Sequence, residues 1–512
     1  MSSLRDPVRS AARPDGSSAV STALAADRLG APAIAIFVMS AATPLTVVAG
    51  VVTTGYAETG LVGVPLAFAV IAVVLAVFSV GYIAMARHVA HAGAFYAYVS
   101  RGLSRPLGVG SAWMALLAYN ALQVGLYGLI GAATQPLLAG WFGVELPWWV
   151  IALAAWALVA ALGLQHVDVN GRVLAVLLMA EIAIIAVFAV SNLAHPAGGV
   201  VAVDALAPGT LFGPGVGALF ALAVLGFVGF EASVVFSEEA RDRRRTVPIA
   251  TYLSVALIGT LYAVASWAMQ VATGPDRIVE ASRTHGTELL FTLARSQLGG
   301  TIAAIGNALL VTSILAAAIS FHNTSSRYMF ALGRERVLPA ALSRTRSRSG
   351  APLVGSLLQS GIGLAVILTY AVAGWDPVVR LFYWAGTFGG VGVLLLITVT
   401  SVAVVVFFRR HPGAEHPWRR WIAPVLAGLA LLVVSGLALS NLTTLLGVPE
   451  DSVLRWVVPG VYLAAAMLGV GWGLTLRARR PAVYAVIGQG AKATLAGEPG
   501  SLGNGGRDDA VR

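Results

Sequence analysis

Two acids stand inside stretches that otherwise read as hydrocarbon-grade sequence: Glu181 in LLMAEIAIIAVFAV and Glu231 in LGFVGFEASVVFSEE. A charged acid at the centre of a membrane-spanning helix costs about 2.5–3.5 kcal/mol on insertion scales, so hydrogen bonds, a proton or a local departure from helix must offset it. Glu231 sits beside Gly226 and Gly229, which favour such a departure; it either braces the interruption or meets a ligand. Glu181 has the chemistry of a group that binds and releases a proton, against the plainer reading of a structural acid bonded to a neighbouring helix. Tyr119 and Asn120 of ALLAYNALQ line a pocket or serve as interhelical glue. His322 of AAAISFHNTSS is a proton relay or a satisfied core residue. Ser313, Asn323, Thr324 and Ser325 offer oxygens to a sodium ion, although small hydroxyl residues are also common packing groups.

Other chemistries are poorly supplied. His88 and His91 of ARHVAHAGAF form one HxxH pair, too few ligands for a closed or catalytic metal site, and no Gly-Lys-Ser/Thr phosphate loop occurs. No enzyme activity, metal site or cofactor is therefore expected. The chain has no cysteine, so it carries neither a disulfide framework nor a thiolate site.

The elements that must position these residues are long apolar segments. Of 512 residues, 58% are hydrophobic and 11% charged, far below the quarter usual in soluble domains, and the mean hydropathy is +0.82. Uncharged windows of about twenty residues recur along the chain, each long enough to cross a core of about 30 Å as helix. The short alternation of an outer-membrane barrel does not occur. The pattern predicts an all-α polytopic membrane protein with twelve transmembrane helices near 31–54, 64–86, 107–132, 147–165, 171–193, 214–240, 247–272, 300–331, 352–373, 378–407, 421–443 and 455–476.

The formal charge of +10 lies in arginine clusters between apolar segments rather than along one face, which argues against nucleic acid. The clusters follow the even-numbered helices: Arg241, Arg243, Arg244 and Arg245 after the sixth, Arg409, Arg410, Arg419 and Arg420 after the tenth. The odd connections carry acids such as Glu58, Glu145 and Glu288. The positive-inside rule then places both termini in the cytoplasm of a multi-pass protein in the inner (cytoplasmic) membrane. Residues 1–28 and 481–512, polar or glycine-rich, are expected to be disordered cytoplasmic tails around a membrane-spanning domain at 29–480.

Helix 1 contains FVMSAATPLTVVAG, where Pro44 removes a donor and Ser40 and Thr43 can satisfy freed carbonyls. Helix 6 contains LGFVGFEAS at similar depth. Interrupted segments in corresponding positions of two halves point to a transporter site, and their spacing predicts inverted five-helix repeats at 31–193 and 214–407, with helices 11 and 12 (421–476) appended.

These stretches resemble a known family. GFVGFEASVVFSEEARDRRRTVPIA is similar to the sixth-helix signature of the amino acid–polyamine–organocation superfamily, and SRYMFALGRERVLP and GAFYAYVSRGLSRPLG resemble its eighth-helix end and third-helix approach. The resemblance covers about residues 30–440 and implies a LeuT-like fold with broken helices 1 and 6. It implies a secondary active transporter of amino acids or related small organic amines working by alternating access. The alternatives are a putrescine-like polyamine or ethanolamine importer and an amino acid exchanger. An ion channel would need a filter or charged ring, and neither is visible.

On this resemblance Ser40, Ala41, Ala42, Thr43 and Pro44, with Phe227, Val228, Gly229, Phe230 and Glu231, line the substrate site, and Phe230 is a gate or a cation–π face. Aligned by Asn170-Gly171-Arg172, Glu181 falls where some proton-coupled relatives carry a lysine, which makes the proton the expected coupling ion. The resemblance also implies that Glu238 and Glu239 serve the cytoplasmic gate with Arg327 as partner, against the plainer reading of a solvated patch that sets topology; Tyr383 and Trp384 close the outer vestibule or anchor a span end. The SAATPL break departs from the family's Gly-rich version and resembles the polyamine-importer branch. A monomer or weak homodimer in the lipid bilayer is expected.

Overall fold

The computed structural model describes residues 20–490 apart from 22, 23, 25–27, 90, 412 and 414. Among the described residues eleven helices are long and apolar enough to cross a membrane. We label these and one shorter apolar helix in chain order: α1 Ala31–Thr59, α2 Val64–His88, α3 Arg105–Phe142, α4 Trp148–Gly163, α5 Val169–Ala194, α6 Val216–Val234, α7 Arg243–Thr273, α8 Gly300–Arg334, α9 Leu353–Ala373, α10 Pro377–Arg410, α11 Trp418–Ser440 and α12 Leu454–Arg479. The expected fourth span is thus shorter than read from sequence. Its sixteen residues reach about 24 Å at 1.5 Å per residue.

Local chemistry sets the helix starts. Pro65 opens α2, Asp242 caps α7 by accepting from Arg244 N at 3.0 Å, and Asp376 caps α10 through Val378 N at 2.9 Å. The bundle is held on α3, which packs against α8, α10 and α12, while α2 packs against α7. Short helices Ala94–Gly102, Ile278–His285 and Leu289–Leu298 lie between the long ones.

Both expected interruptions are present. The first half of α1 ends at Ala41, Thr43 adopts φ 45 and ψ 62, and Pro44 starts the second half, where its missing donor is harmless. In α6 the α-helix ends at Leu225, Gly229 adopts φ 113, and a 3-10 segment runs Phe230–Val234. Residues 235–239 are turns rather than a continuation of the helix to 240.

The terminal segments depart from the expected tails where they are described. Val20–Ser21 pairs antiparallel with Thr345–Arg346, and Leu29 bridges Ala240. Pro481–Val486 is a short helix. Composition alone misses such segments because their partners belong to the folded core. The rest of both expected tails, 1–19 and 491–512, lies outside the described residues.

Candidate functional site

The two breaks are held together by buried polar groups from neighbouring helices. At the first, Ala42 O accepts from the Tyr262 hydroxyl at 2.9 Å and Phe37 O accepts from Ser320 Oγ at 2.7 Å. Ser40, expected to serve a freed carbonyl, is buried with its hydroxyl unpartnered, because Tyr262 of α7 takes that role. Glu181 Oε1 accepts from Leu45 N at 2.5 Å and from Ser313 Oγ at 2.6 Å, so the α5 acid caps the second half of α1 and ties it to α8. Its other oxygen, Oε2, has no partner.

At the second break Glu231 folds back on its own backbone. Oε2 accepts from Gly229 N at 2.9 Å and Oε1 from the Tyr119 hydroxyl at 2.9 Å, while Tyr82 donates to Glu231 O at 3.0 Å. Glu231 is fully buried. It braces the interruption, one of the two roles its sequence position allowed.

A cavity of about 630 Å³ stands over the breaks. Its floor is Ala41, Ala42, Thr43, Leu122, Val228 and Phe321. Its walls rise through Thr54, Trp141, Glu288, Tyr383 and Leu445 to the end of the bundle opposite the arginine-rich connections. Glu288 and Arg295, about two helical turns apart, both line this vestibule, and neither side chain makes a hydrogen bond or ion pair to any described residue.

The opposite end carries two largely buried ion pairs. Arg327 grips Glu239 with two hydrogen bonds, Nε to Oε2 at 2.7 Å and Nη2 to Oε1 at 3.0 Å, and also donates to Asn323 Oδ1 at 3.0 Å. Its guanidinium lies 4.7 Å from the Phe236 ring, which stacks on Phe37 at 4.6 Å. Beside it Arg334 holds Glu238 through two 2.7 Å bonds, and Ala92 N donates to the same carboxylate at 2.9 Å. Burial works against the Glu238 charge, but the Arg334 hydrogen bonds and charge overcome it and hold this carboxyl below its usual range.

The family model for amino acid permeases matches residues 29–468. The chain belongs to this family. An uncharacterized transporter of Mycobacterium tuberculosis is 27% identical over 306 residues, 58% of either chain. The branched-chain amino acid permease BcaP of Bacillus subtilis is 25% identical over 222 residues, 43% of this chain and 44% of that one. The low-affinity putrescine importer PlaP of Escherichia coli is 24% identical over 327 residues, 59% of this chain and 66% of that one. The permease therefore aligns with 58% of the length of its mycobacterial relative. These relatives are transporters, and this is a multi-pass membrane protein of the same family.

Not all of the expected lining residues reach the cavity. Ala41, Ala42, Thr43 and Val228 line it; Ser40, Pro44, Phe227, Gly229, Phe230 and Glu231 lie behind it. Phe230 is 1% exposed, stands 5.8 Å from the Phe78 ring at a steep angle, and does not line the cavity. Tyr119 is buried against Glu231, and Asn120 donates to Leu116 O of its own helix at 2.7 Å; neither lines the cavity. Tyr383 faces the vestibule near Thr54, whereas Trp384 turns away and donates to Leu446 O at 3.2 Å. His322 lies between Gln123 and Ser356, at 3.2 and 2.7 Å, inside the contact of α3, α8 and α9. Sequence reading missed Tyr262, Tyr82, Arg334, Arg295 and the siting of Glu288. Nothing in a single aromatic or arginine marks which distant break or mouth it will reach.

Proposed function

We propose that this permease is a secondary active transporter of a small zwitterionic amino acid or related amine, working by alternating access. One observation carries the reading. Two broken helices form the floor of a cavity that is open at one end and closed at the other by the buried Arg327–Glu239 pair. The breaks leave small residues and short backbone loops where a ligand can approach closely. In this reading α4 completes twelve spans, α1–α5 and α6–α10 are inverted repeats, and the arginine-rich face with both termini lies in the cytoplasm.

The vestibule supports this substrate class. One unpaired carboxylate and one unpaired guanidinium, Glu288 and Arg295, suit a molecule carrying both charges, and the mostly aliphatic lining suits a short apolar side chain. A diamine needs a second anionic group, and Glu231 and Glu181 are both engaged behind the floor. The likeness to a putrescine importer keeps the diamine as the second reading. A competition panel on purified protein in liposomes separates them: neutral, cationic and acidic amino acids against putrescine and ethanolamine, with pH and sodium varied independently. Neutral amino acids are expected to compete best. Competition by diamines alone would overturn the reading.

We assign proton coupling to Glu181. It joins α5 to the second half of α1 and to α8, and its unpartnered Oε2 is free to carry a proton. With one proton per substrate, a gradient of one pH unit supports about tenfold accumulation. Glu181→Gln keeps the acceptor for Leu45 N and Ser313 but cannot exchange a proton, so it is expected to equilibrate substrate without concentrating it. Undiminished gradient-driven accumulation in liposomes would remove Glu181 from the mechanism.

A further inference from the structure

The last described residues return to the arginine-rich end of the bundle. Helix Pro481–Val486 lies beside the start of α3: Arg105 Nη2 donates to Ala485 O at 3.0 Å, and its guanidinium stands 5.1 Å from the Tyr484 ring. Ile487 is fully buried. The next turn delivers two backbone donors to one acid, Gly488 N to Glu335 Oε2 at 2.7 Å and Gly490 N to Glu335 Oε1 at 2.6 Å. The same buried carboxylate accepts from the Tyr96 hydroxyl and lies 2.8 Å from His91 Nε2. Burial disfavours its charge; His91, Tyr96 and Gly488 outweigh that and hold it below the usual carboxylate range. Its chain neighbour is Arg334, the residue that holds Glu238 across the closed end and that also feels the Glu335 charge.

We propose that residues 481–490 are an autoinhibitory clasp on the closed end of the transport path. Docked, they satisfy Glu335 and leave Arg334 to Glu238. Undocked, they strip two donors from a buried carboxylate, which then competes with Glu238 for Arg334 and loosens the seal. The inference rests on the alternating-access reading, but its test measures access and not transport, so the two fail separately.

The chain has no cysteine, so one introduced thiol is the sole reporter. Ser237 sits in the sealing turn, 3% exposed with an unpartnered hydroxyl, which makes Ser237→Cys a mild change. Its rate of modification by a charged methanethiosulfonate reagent is measured on purified protein in lipid nanodiscs. A chain stopped after Gly490 keeps the clasp and is expected to react at the parent rate. A chain stopped after Arg480 is expected to react about tenfold faster, within the usual range of conformational coupling. Gly488→Ala tests the clasp in the full-length chain: Gly488 has φ 77, and an added Cβ would lie 2.9 Å from Ser100 Cβ. It too is expected to accelerate the reaction about tenfold. Ser254→Cys in α7, fully buried, is the control for general loosening and is expected to stay unreactive. An unchanged Ser237→Cys rate in Gly488→Ala overturns the clasp, whatever the shortened chain does, and so does an equal rise at both reporters.

Discussion

Arg327→Ala is expected to destabilise the folded permease by about 3–5 kcal/mol, because it leaves the Glu239 carboxylate buried without its counter-charge. Glu239 is 1% exposed and spends both oxygens on that guanidinium. Removing both partners is expected to cost less than removing one: Arg327→Ala/Glu239→Ala discards the stranded charge and leaves chiefly the lost packing over Phe236. Thermal unfolding of detergent-purified variants measures the difference. If the double variant is as unstable as the single, the arginine stabilises the fold through packing rather than through its charge.

Gly229→Ala is the second large effect. A φ of 113 is poorly tolerated by any residue with a Cβ, at a cost of about 1–3 kcal/mol. The new methyl would also lie 2.6 Å from Ala41 Cβ, an overpacking cost of about 1–3 kcal/mol more. Both penalties fall where α1 and α6 touch at the floor of the cavity, so loss of transport is expected together with a lowered melting temperature. Gly226→Ala is the comparison. Its φ is −64, and its added Cβ meets the Phe68 ring and a Val47 methyl at 3.1 Å, which side chains can relax, and the Ala223 carbonyl at 3.3 Å, far looser than the 2.6 Å contact at Gly229. It is expected to retain most transport in the liposome assay. Equal loss in both variants would mean that the Gly229 conformation is not what holds the break.

Much of the architecture was legible because it rests on local quantities. Long uncharged windows give apolar helices, Pro44 and the Gly226–Gly229 pair mark the two breaks, and the arginine clusters divide the two ends of the bundle. Which way a side chain points depends on helix rotation and packing rather than depth, and that was not legible along the chain. Phe230 and Tyr119 have the right depth to meet a ligand, yet one packs on Phe78 and the other bonds Glu231. The fourth span was read as 147–165, whereas its helix ends two residues earlier at Gly163.

The sequence by itself determined the class of molecule, the family resemblance, the sites of the two interruptions and the presence of two acids in apolar segments, Glu231 at the second break and Glu181 in the fifth span. Tertiary structure alone decided what those acids do. Leu45 and Ser313 meet Glu181 across 136 and 132 residues, and Tyr119 meets Glu231 across 112. It also decided that Arg334, His91, Tyr96 and the C-terminal glycines converge on Glu238 and Glu335. Hydropathy and helix-breaking are properties of neighbouring residues and can be read along the chain. A hydrogen bond between distant helices depends on rotation and packing around the bundle, for which a single chain carries no periodic signal.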